Sequence, residues 1–140
     1  MTRVEISLLP VQLPAEGEEA GAIVQQMRMS VCGHAEYAPK GQDIVCAAVS
    51  ILVQAMACSL SKLGRKTLYD FAVDGVAGSG CVGITAIPTA SGNERVRGIF
   101  ESAVMGFCLL SDAYPGYVRI HLARSPRKLK DREETYHVKA

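Results

Sequence analysis

A histidine, an aspartate and a cysteine stand close together in the first third of the chain. His34 follows Gly33, and Asp43 precedes Cys46 by three residues. A free cysteine titrates near about 8.5, but the start of a helix or a neighbouring imidazolium favours the reactive thiolate. The residue types and their spacing therefore indicate nucleophilic catalysis, with Cys46 as the nucleophile and His34 as its base.

Two further polar residues surround this pair, and the role of the first is open. Asp43 is an N-cap candidate that can accept the backbone N–H of Cys46, or it can orient His34 as the third member of a triad. Ser50 lies one helical turn after Cys46 on the same face, within hydrogen-bonding reach of the sulfur. We therefore include both residues in the candidate site.

The other cysteines are weaker candidates for a chemical role. A metal site built from Cys32, His34 and Cys46 is an alternative, but paired cysteine spacing and an obvious fourth ligand are both missing. We therefore predict no metal and no cofactor. The remaining cysteines are expected to be small buried hydrophobic residues: Cys58, Cys81 and Cys108.

A strand and a helix must position the site. Residues 23–31 alternate between apolar and polar types, which predicts a strand that ends at Gly33. The run from Ile44 to Cys58 is apolar, and its length, its alanines and the Asp43 N-cap favour a helix. Because this helix is apolar around most of its circumference, a sheet and either a second helix or another subunit should cover it. The residues expected at a twofold contact are Val49, Leu52, Val53 and Met56.

The rest of the chain predicts an α+β fold. We expect a two-layer structure with a mainly antiparallel sheet and two helices on one face, in the order β-β-α-β-β-α-β. Residues 1–123 form one domain, and residues 124–140 form a charged, flexible tail. The remaining expected elements are an edge strand over 2–9 ending at Pro10, an exposed mobile connection over 10–21, a hairpin of strands 68–76 and 81–87, a helix over 94–113 capped by Asn93, and a last strand over 117–122.

The composition of the chain argues against several classes of protein. The chain has 140 residues, of which 49% are hydrophobic and 21% are charged, with a net charge of +1. A chain of this kind forms one globular domain without a basic field for nucleic acid. We expect neither a signal peptide nor a membrane-spanning helix. Five cysteines without framework spacing suggest reduced thiols and a cytoplasmic location.

The site motif also carries a family resemblance. The segment 33–35, followed by Gly41-x-Asp43 and the apolar run through Ser50, resembles the signature of the ribosomal-processing cysteine proteases. The stretch 101–120, with Tyr-Pro-Gly-Tyr-Val at 114–118, is similar to that family's closing helix and strand. The resemblance covers residues 3–122. Cys32 departs from the serine or other small residue common in the family, the 10–21 connection is longer than usual, and the tail looks like an addition.

The resemblance implies a function. Such proteins are bacterial, cytoplasmic and homodimeric, and they remove an N-terminal extension from the large-subunit ribosomal protein numbered twenty-seven, after an aromatic residue. By motif position His34 is the base and Cys46 the nucleophile, with Asp43 and Ser50 at the other polar positions. The loop 36–42 corresponds to a mobile loop at the substrate cleft. Its candidate substrate contacts are Glu36, Tyr37 and Lys40, and the Gly33 backbone is a candidate for the oxyanion site.

Two alternative functions remain open from the sequence. The first is a non-catalytic binding module of the ribosome-assembly machinery. The second is a thiol redox sensor that pairs Cys32 with Cys46. Under the protease hypothesis the partners are the ribosomal protein extension and a second copy of the chain, with no requirement for nucleic acid or a membrane.

Overall fold

The chain forms one mixed β-sheet with two helices packed against it. The computed structural model describes residues 1–17, 19–39, 41–75 and 80–123, together with the backbone of Glu133–Glu134. The elements are β1 (Thr2–Gln12), β2 (Ile23–Cys32), α1 (Ile44–Ser61), β3 (Leu68–Asp74), β4 (Cys81–Pro88), α2 (Asn93–Ala113), β5 (Val118–Ala123) and β6 (Glu133–Glu134). The strand order is β3-β4-β2-β1-β5-β6, and β1 pairs with β5 in parallel while the other pairs are antiparallel. The predicted fold class and element order are confirmed, with the two-residue β6 as an addition.

Both helices lie on one face of the sheet. In β1, Val4 and Ile6 are buried while Arg3 and Glu5 are exposed, as expected for a strand with one covered face. The same alternation runs along β5. The largest side chain with almost no exposed surface is Phe107 of α2, which belongs to the core between the two layers. Within the described residues, no helix covers the opposite face of the sheet, which is called the open face below.

The position of β1 differs from the prediction. β1 lies inside the sheet, between β2 and β5, rather than at an edge, and it continues past Pro10 to Gln12. A proline is tolerated here because β5 pairs with β1 only from Thr2 to Ser7. Pro10 lies beyond that ladder, so its missing N–H leaves no partner on β5 unpaired.

The connection between β1 and β2 is anchored rather than loose. The two strands pair as far as Gln12 and Ile23. Beyond them, the Glu19 carboxylate accepts the backbone N–H groups of Ala90 and Ser91 at 2.8 and 3.0 Å. These two donors lie just before α2, so one carboxylate ties the hairpin end to the start of that helix.

The start of α2 is also built differently from the prediction. The N-cap is Gly92, and no side chain caps the helix, so the assignment of Asn93 as N-cap was wrong. Instead, Thr89 Oγ1 accepts the Gly92 N–H at 3.0 Å and donates to the Lys66 carbonyl at 2.6 Å. The threonine hydroxyl thus organises the turn that leads into the helix.

Helix α1 exposes much of its apolar surface. It has 18 residues without a charge and a mean hydropathy of 2.1, which by length and composition would suffice to cross a membrane. We expected no such run, but the core helix of a soluble protein can pass the same test, and α1 packs on β3 and α2 here. Val49 and Met56, expected at a twofold contact, are buried in the chain's own core. The large apolar residues of α1 that face outward are Ile44 and Ile51, exposed by 54% and 62%.

Two predictions fall on residues whose structure is not described. The tip of the β3–β4 hairpin, residues 76–79, lies outside the described residues, although the hairpin strands themselves pair as predicted. The tail 124–140 also lies outside them, apart from the backbone of Glu133–Glu134. The division into a domain over 1–123 and a flexible tail stays a prediction.

Candidate active site

The site begins with a sharp turn at the end of β2. Gly33 has φ +92° and donates its N–H to the Gly80 carbonyl at 2.6 Å. A Cβ at this position would overlap the Met1 carbonyl oxygen. Only glycine therefore fits here, and the turn sets His34 beside the residue that precedes β4.

His34 is exposed and faces the start of β4. Its Nε2 lies 3.5 Å from the position that a Cβ on Gly80 would occupy. Within the described part of the chain, no hydrogen bond joins His34 to Cys46. The imidazole is accessible from solvent, and its pairing with the thiol stays a prediction.

Cys46 lies in the first turn of α1, as predicted, and is half-buried. Its backbone N–H donates to Asp43 Oδ1 at 2.8 Å. The thiol interacts with the same carboxylate and contributes to lowering the pKa of Asp43. Cys46 thus lies in the first turn of the helix, beside the Asp43 carboxylate that caps it.

Asp43 joins the helix to the loop before it. Its second oxygen, Oδ2, accepts the backbone N–H groups of Tyr37 and Ala38 at 3.0 and 3.4 Å. The hydrogen bond from the Cys46 N–H, helped by those from Ala38, the Cys46 thiol and Tyr37, holds the pKa of Asp43 below its ordinary value. Of its two possible roles, the geometry shows the N-cap, and its described contacts do not include His34.

Three tyrosine rings form a cluster beside the loop. Tyr37 makes edge-to-face contacts with Tyr114 and Tyr117, at centroid distances of 5.4 and 5.2 Å. Tyr37 was predicted as a site residue, but the other two were missed. The signal available was an aromatic pair flanking a Pro-Gly turn, and only the pairing of β5 with β1 brings that turn beside the loop.

The structure describes two of the three other residues predicted for the site. Glu36 is exposed and has a left-handed backbone with φ +56°. Ser50 is exposed one turn after Cys46. Lys40 lies outside the described residues. The roles of all three stay predictions.

The cysteines pair differently from the prediction. Cys32 forms a disulfide with Cys81, its register partner on β4, so a Cys32–Cys46 pairing is wrong and Cys46 is free. Strand register decides this, since a cross-strand pair is brought together by the sheet itself. Cys58 is exposed, contrary to expectation. Cys108 is buried as expected, and burial raises the pKa of its thiol.

The part of the chain that the structure describes contains no group of three histidine, cysteine, aspartate or glutamate side chains arranged to hold a metal ion. The alternative metal site also needed Cys32 as a ligand, and that sulfur is bonded to Cys81. The described candidates Cys46, His34 and Asp43 offer a thiol, an imidazole and a carboxylate.

A half-buried thiol at a helix start and an exposed histidine at the end of the preceding strand are residue types that a cysteine peptidase uses. Residues 20–119 match the family described as cysteine protease Prp, and the chain belongs to that family. It is thus a cysteine protease. Membership favours the enzyme over the non-catalytic binding module. The comparison with individually curated proteins gave no significant match.

Solved structures share the fold. The essential ribosomal processing protease Prp from S. aureus, in complex with a covalently linked product peptide, superposes with a TM-score of 0.64 at 18% identity, covering 87% of this chain and 99% of that one. The same enzyme with a substrate peptide gives 0.59 at 17% identity, with the same coverage. SMU.848 from Streptococcus mutans gives 0.56 at 21% identity, covering 89% and 99%. At these identities the likeness concerns the fold.

Proposed function

We propose that this protease removes the N-terminal extension of the large-subunit ribosomal protein numbered twenty-seven during bacterial ribosome assembly. The observation that carries the proposal is Cys46 in the first turn of α1, inside the segment that matches the Prp family. The S. aureus protein with the same fold is a ribosomal processing protease that was crystallised with a substrate peptide. A cytoplasmic location is part of this proposal.

The first chemical step is activation of the thiol. In the free enzyme Cys46 lies next to the Asp43 carboxylate, which accepts its backbone N–H. On substrate binding the Cys46 thiol turns toward His34, which removes its proton, and the thiolate attacks the carbonyl carbon of the scissile peptide. The Asp43 carboxylate keeps its three backbone N–H partners in this step, so the loop and helix stay joined.

The oxyanion requires donors that are not already used. The N–H of Gly33, the expected donor, is given to the Gly80 carbonyl, and that of Cys46 is given to Asp43, so neither N–H is available in this conformation. The first turn of a helix carries further N–H groups without intrahelical partners. Those of Ile44 and Val45 lie at the same end of α1 and are the donors we assign to the oxyanion.

The second half of the reaction returns the enzyme to its starting state. His34 gives its proton to the leaving amine, which departs as the new N-terminus of the processed protein. The acyl group remains on Cys46 as a thioester. His34 then removes a proton from water, which attacks the thioester carbonyl and releases the cleaved extension with the thiol restored.

Substrate recognition is assigned to the tyrosine cluster. Tyr37 and Tyr117 are exposed by 41% and 36%, so ring surface is available next to the loop. An aromatic residue of the extension can pack against these rings in edge-to-face geometry. Glu36 and Ser50 are exposed, so their side chains can contact the extended peptide.

The decisive experiment is cleavage of a synthetic extended ribosomal protein, followed by mass spectrometry of the products. Cys46→Ala and His34→Ala should each lower kcat by at least about a thousandfold while the circular dichroism stays unchanged. Cys108→Ala, a free cysteine within the core, serves as the matched control and should retain cleavage. Full cleavage by Cys46→Ala would remove the proposal.

The pH dependence of Cys46 alkylation tests the proposed base separately. If His34 activates the thiol, the apparent pKa of alkylation in wild type should lie below that of an ordinary cysteine and rise in His34→Ala. An unchanged alkylation profile in that variant would show that the imidazole does not assist the sulfur.

We also propose that the enzyme is a homodimer. The exposed Ile44 and Ile51 form an apolar stripe on α1 that a second copy of the helix would cover. This replaces the contact through Val49 and Met56, which the chain's own core has already buried. The partner of this surface is therefore expected to be the chain itself.

A further inference from the structure

The Cys32–Cys81 disulfide lies directly beside the proposed base. Cys32 is the last residue of β2, and Gly33 and His34 follow it. Cys81 is the first residue of β4, and Gly80 precedes it. The bond therefore joins the end of β2, which leads into His34, to the start of β4, which Gly80 precedes.

The two strand ends are already in contact next to this bond. The Cα atoms of Cys32 and Cys81 lie 4.1 Å apart. One residue further along, the Gly33 N–H donates to the Gly80 carbonyl, and Gly80 in turn lies against His34 Nε2. A change in the spacing of the two strand ends would thus move the imidazole relative to α1, which carries Cys46.

The bond is also within reach of small thiols. Cys81 is exposed and Cys32 is half-buried on the open face of the sheet. Exposed disulfides are the ones that exchange readily, in contrast to buried structural bonds. Cys46 is free and is not one of the two bonded cysteines, so opening or closing the bond does not itself use the nucleophile.

We propose that the Cys32–Cys81 disulfide is a reversible redox brace that positions His34, so that the oxidised enzyme cleaves faster than the reduced one. The inference rests on the proposed protease function and adds regulation to the same site. The oxidant is a low-molecular-weight disulfide of the glutathione type. His34 is the group through which the brace acts, and neither cysteine touches the substrate.

The exchange balances in two steps. The Cys81 thiolate attacks one sulfur of glutathione disulfide, forms a mixed disulfide and releases one glutathione thiolate. The Cys32 thiolate then attacks the Cys81 sulfur, closes the protein disulfide and releases the second glutathione. Two electrons pass from the protein to glutathione, and the two protons lost by the protein thiols are taken up by the glutathione thiolates.

The experiment compares the full chain in its two redox states. One sample is equilibrated with glutathione disulfide and the other with reduced glutathione, and glutathione is then removed from both. The intact mass of the oxidised sample must be two hydrogens lower than that of the reduced sample, and Cys46 must be unmodified in both. Cleavage of an extended ribosomal peptide should give a kcat about three- to tenfold higher in the oxidised state, with KM little changed, because misplacing a catalytic group lowers the chemical step. Equal kcat values in the two states would overturn the proposal.

The controls separate the brace from other thiols. The double variant Cys32→Ser, Cys81→Ser should show the reduced kcat in both states. Cys58→Ser, which removes an exposed free thiol, should keep the wild-type ratio. A redox response that persists in the double variant would place its origin elsewhere and overturn the proposal.

A second readout does not depend on cleavage. The imidazole proton signals of His34, observed by NMR in a Cys46→Ser background, should shift and titrate differently between the two redox states. If no peptide is cleaved in either state, the proposed function fails while this measurement still decides on the brace. Identical His34 titrations in the two states would overturn it.

Discussion

The backbone at Gly33 is left-handed, and the space next to its Cα is taken by the Met1 carbonyl oxygen. Gly33→Ala should therefore lower the free energy of unfolding by about 1–3 kcal/mol, since both strain and overlap must be accommodated. It should also lower kcat, because His34 is the next residue. Urea denaturation and peptide cleavage measure the two effects.

Gly41 provides a matched control for this prediction. It has a similar φ of +87°, but nothing lies within 4 Å of a Cβ placed there. Gly41→Ala should cost only the conformational strain, about 1 kcal/mol. If the two alanine variants were equally stable, the contact with Met1 would have no energetic weight.

The Asp43 carboxylate gives a prediction with a defined pH dependence. Its pKa is lowered from an ordinary value of 3.8 by hydrogen bonds that exist only in the folded chain. The stabilisation is therefore fully present above that ordinary value and is lost as the pH falls through the lowered folded pKa. Asp43→Asn should melt at a lower temperature than wild type at pH 7, and the gap should close in strong acid.

The measurement is the melting temperature of both proteins from pH 7 to pH 2. Glu36→Gln is a suitable control, because Glu36 is an exposed carboxylate in the loop next to Asp43. A constant gap between wild type and Asp43→Asn across the whole pH range would contradict the proposed charge contribution.

For single residues, the sequence predicts contacts between residues that are close together in the chain. Asp43 and Cys46 are three residues apart, so helix geometry alone places the carboxylate on the Cys46 N–H. Cys32 and Cys81 are 49 residues apart, and only the register of β2 with β4 joins them. Tyr114 was missed for the same reason, since its neighbourhood with Tyr37 depends on the order of strands.

Among the elements, α2 contributes the largest buried ring. Phe107 is fully buried, whereas Leu109 on the same helix is 51% exposed. Phe107→Ala should lower the free energy of unfolding by about 3–5 kcal/mol, because it removes apolar burial and leaves a cavity. Leu109→Ala should change it by less than about 0.5 kcal/mol. Chemical denaturation of both variants tests the prediction. Similar losses of unfolding free energy in the two variants would show that Phe107 is not a central core residue.

The long β1–β2 connection yields a separate prediction. Glu19 is the carboxylate that ties this connection to the N–H groups before α2. Glu19→Ala should speed hydrogen exchange at Ala90 and Ser91 by roughly tenfold, because their acceptor is lost. Glu16→Ala, in the same connection, is the control and should leave both amides protected. Unchanged exchange in Glu19→Ala would mean that other groups protect them.

The local sequence pattern predicts which segments form strands and helices, but it does not predict which strands lie next to each other in the sheet. The alternation in residues 2–9 correctly predicts a strand, yet Pro10 suggested an edge position for it. The parallel partner β5 arises more than 100 residues later and covers β1 only as far as Ser7. Such a partner leaves no mark on the local sequence, so the central place of β1 had to come from the structure.

For the whole molecule, the proposed homodimer makes the fifth prediction. Ile51→Glu places a charge in the exposed apolar stripe of α1 and should shift the molecule from dimer to a 15.0 kDa monomer in sedimentation experiments. Ile23→Glu is a matched control, since Ile23 is 73% exposed at the start of β2, away from α1. A wild type that sediments as a monomer at every concentration would exclude the dimer.

The exposure of Cys58 has a practical consequence for chemists. Seven residues make nearly two turns of a helix, so Cys58 stands almost in line with Ile51 on the outward side of α1. In the monomer a thiol-directed electrophile will meet this sulfur as well as Cys46, so a screen for covalent ligands on the monomeric Ile51→Glu variant must use a chain in which Cys58 is replaced. The same sulfur offers a ready attachment point for a fluorophore that reports what touches this side of the helix.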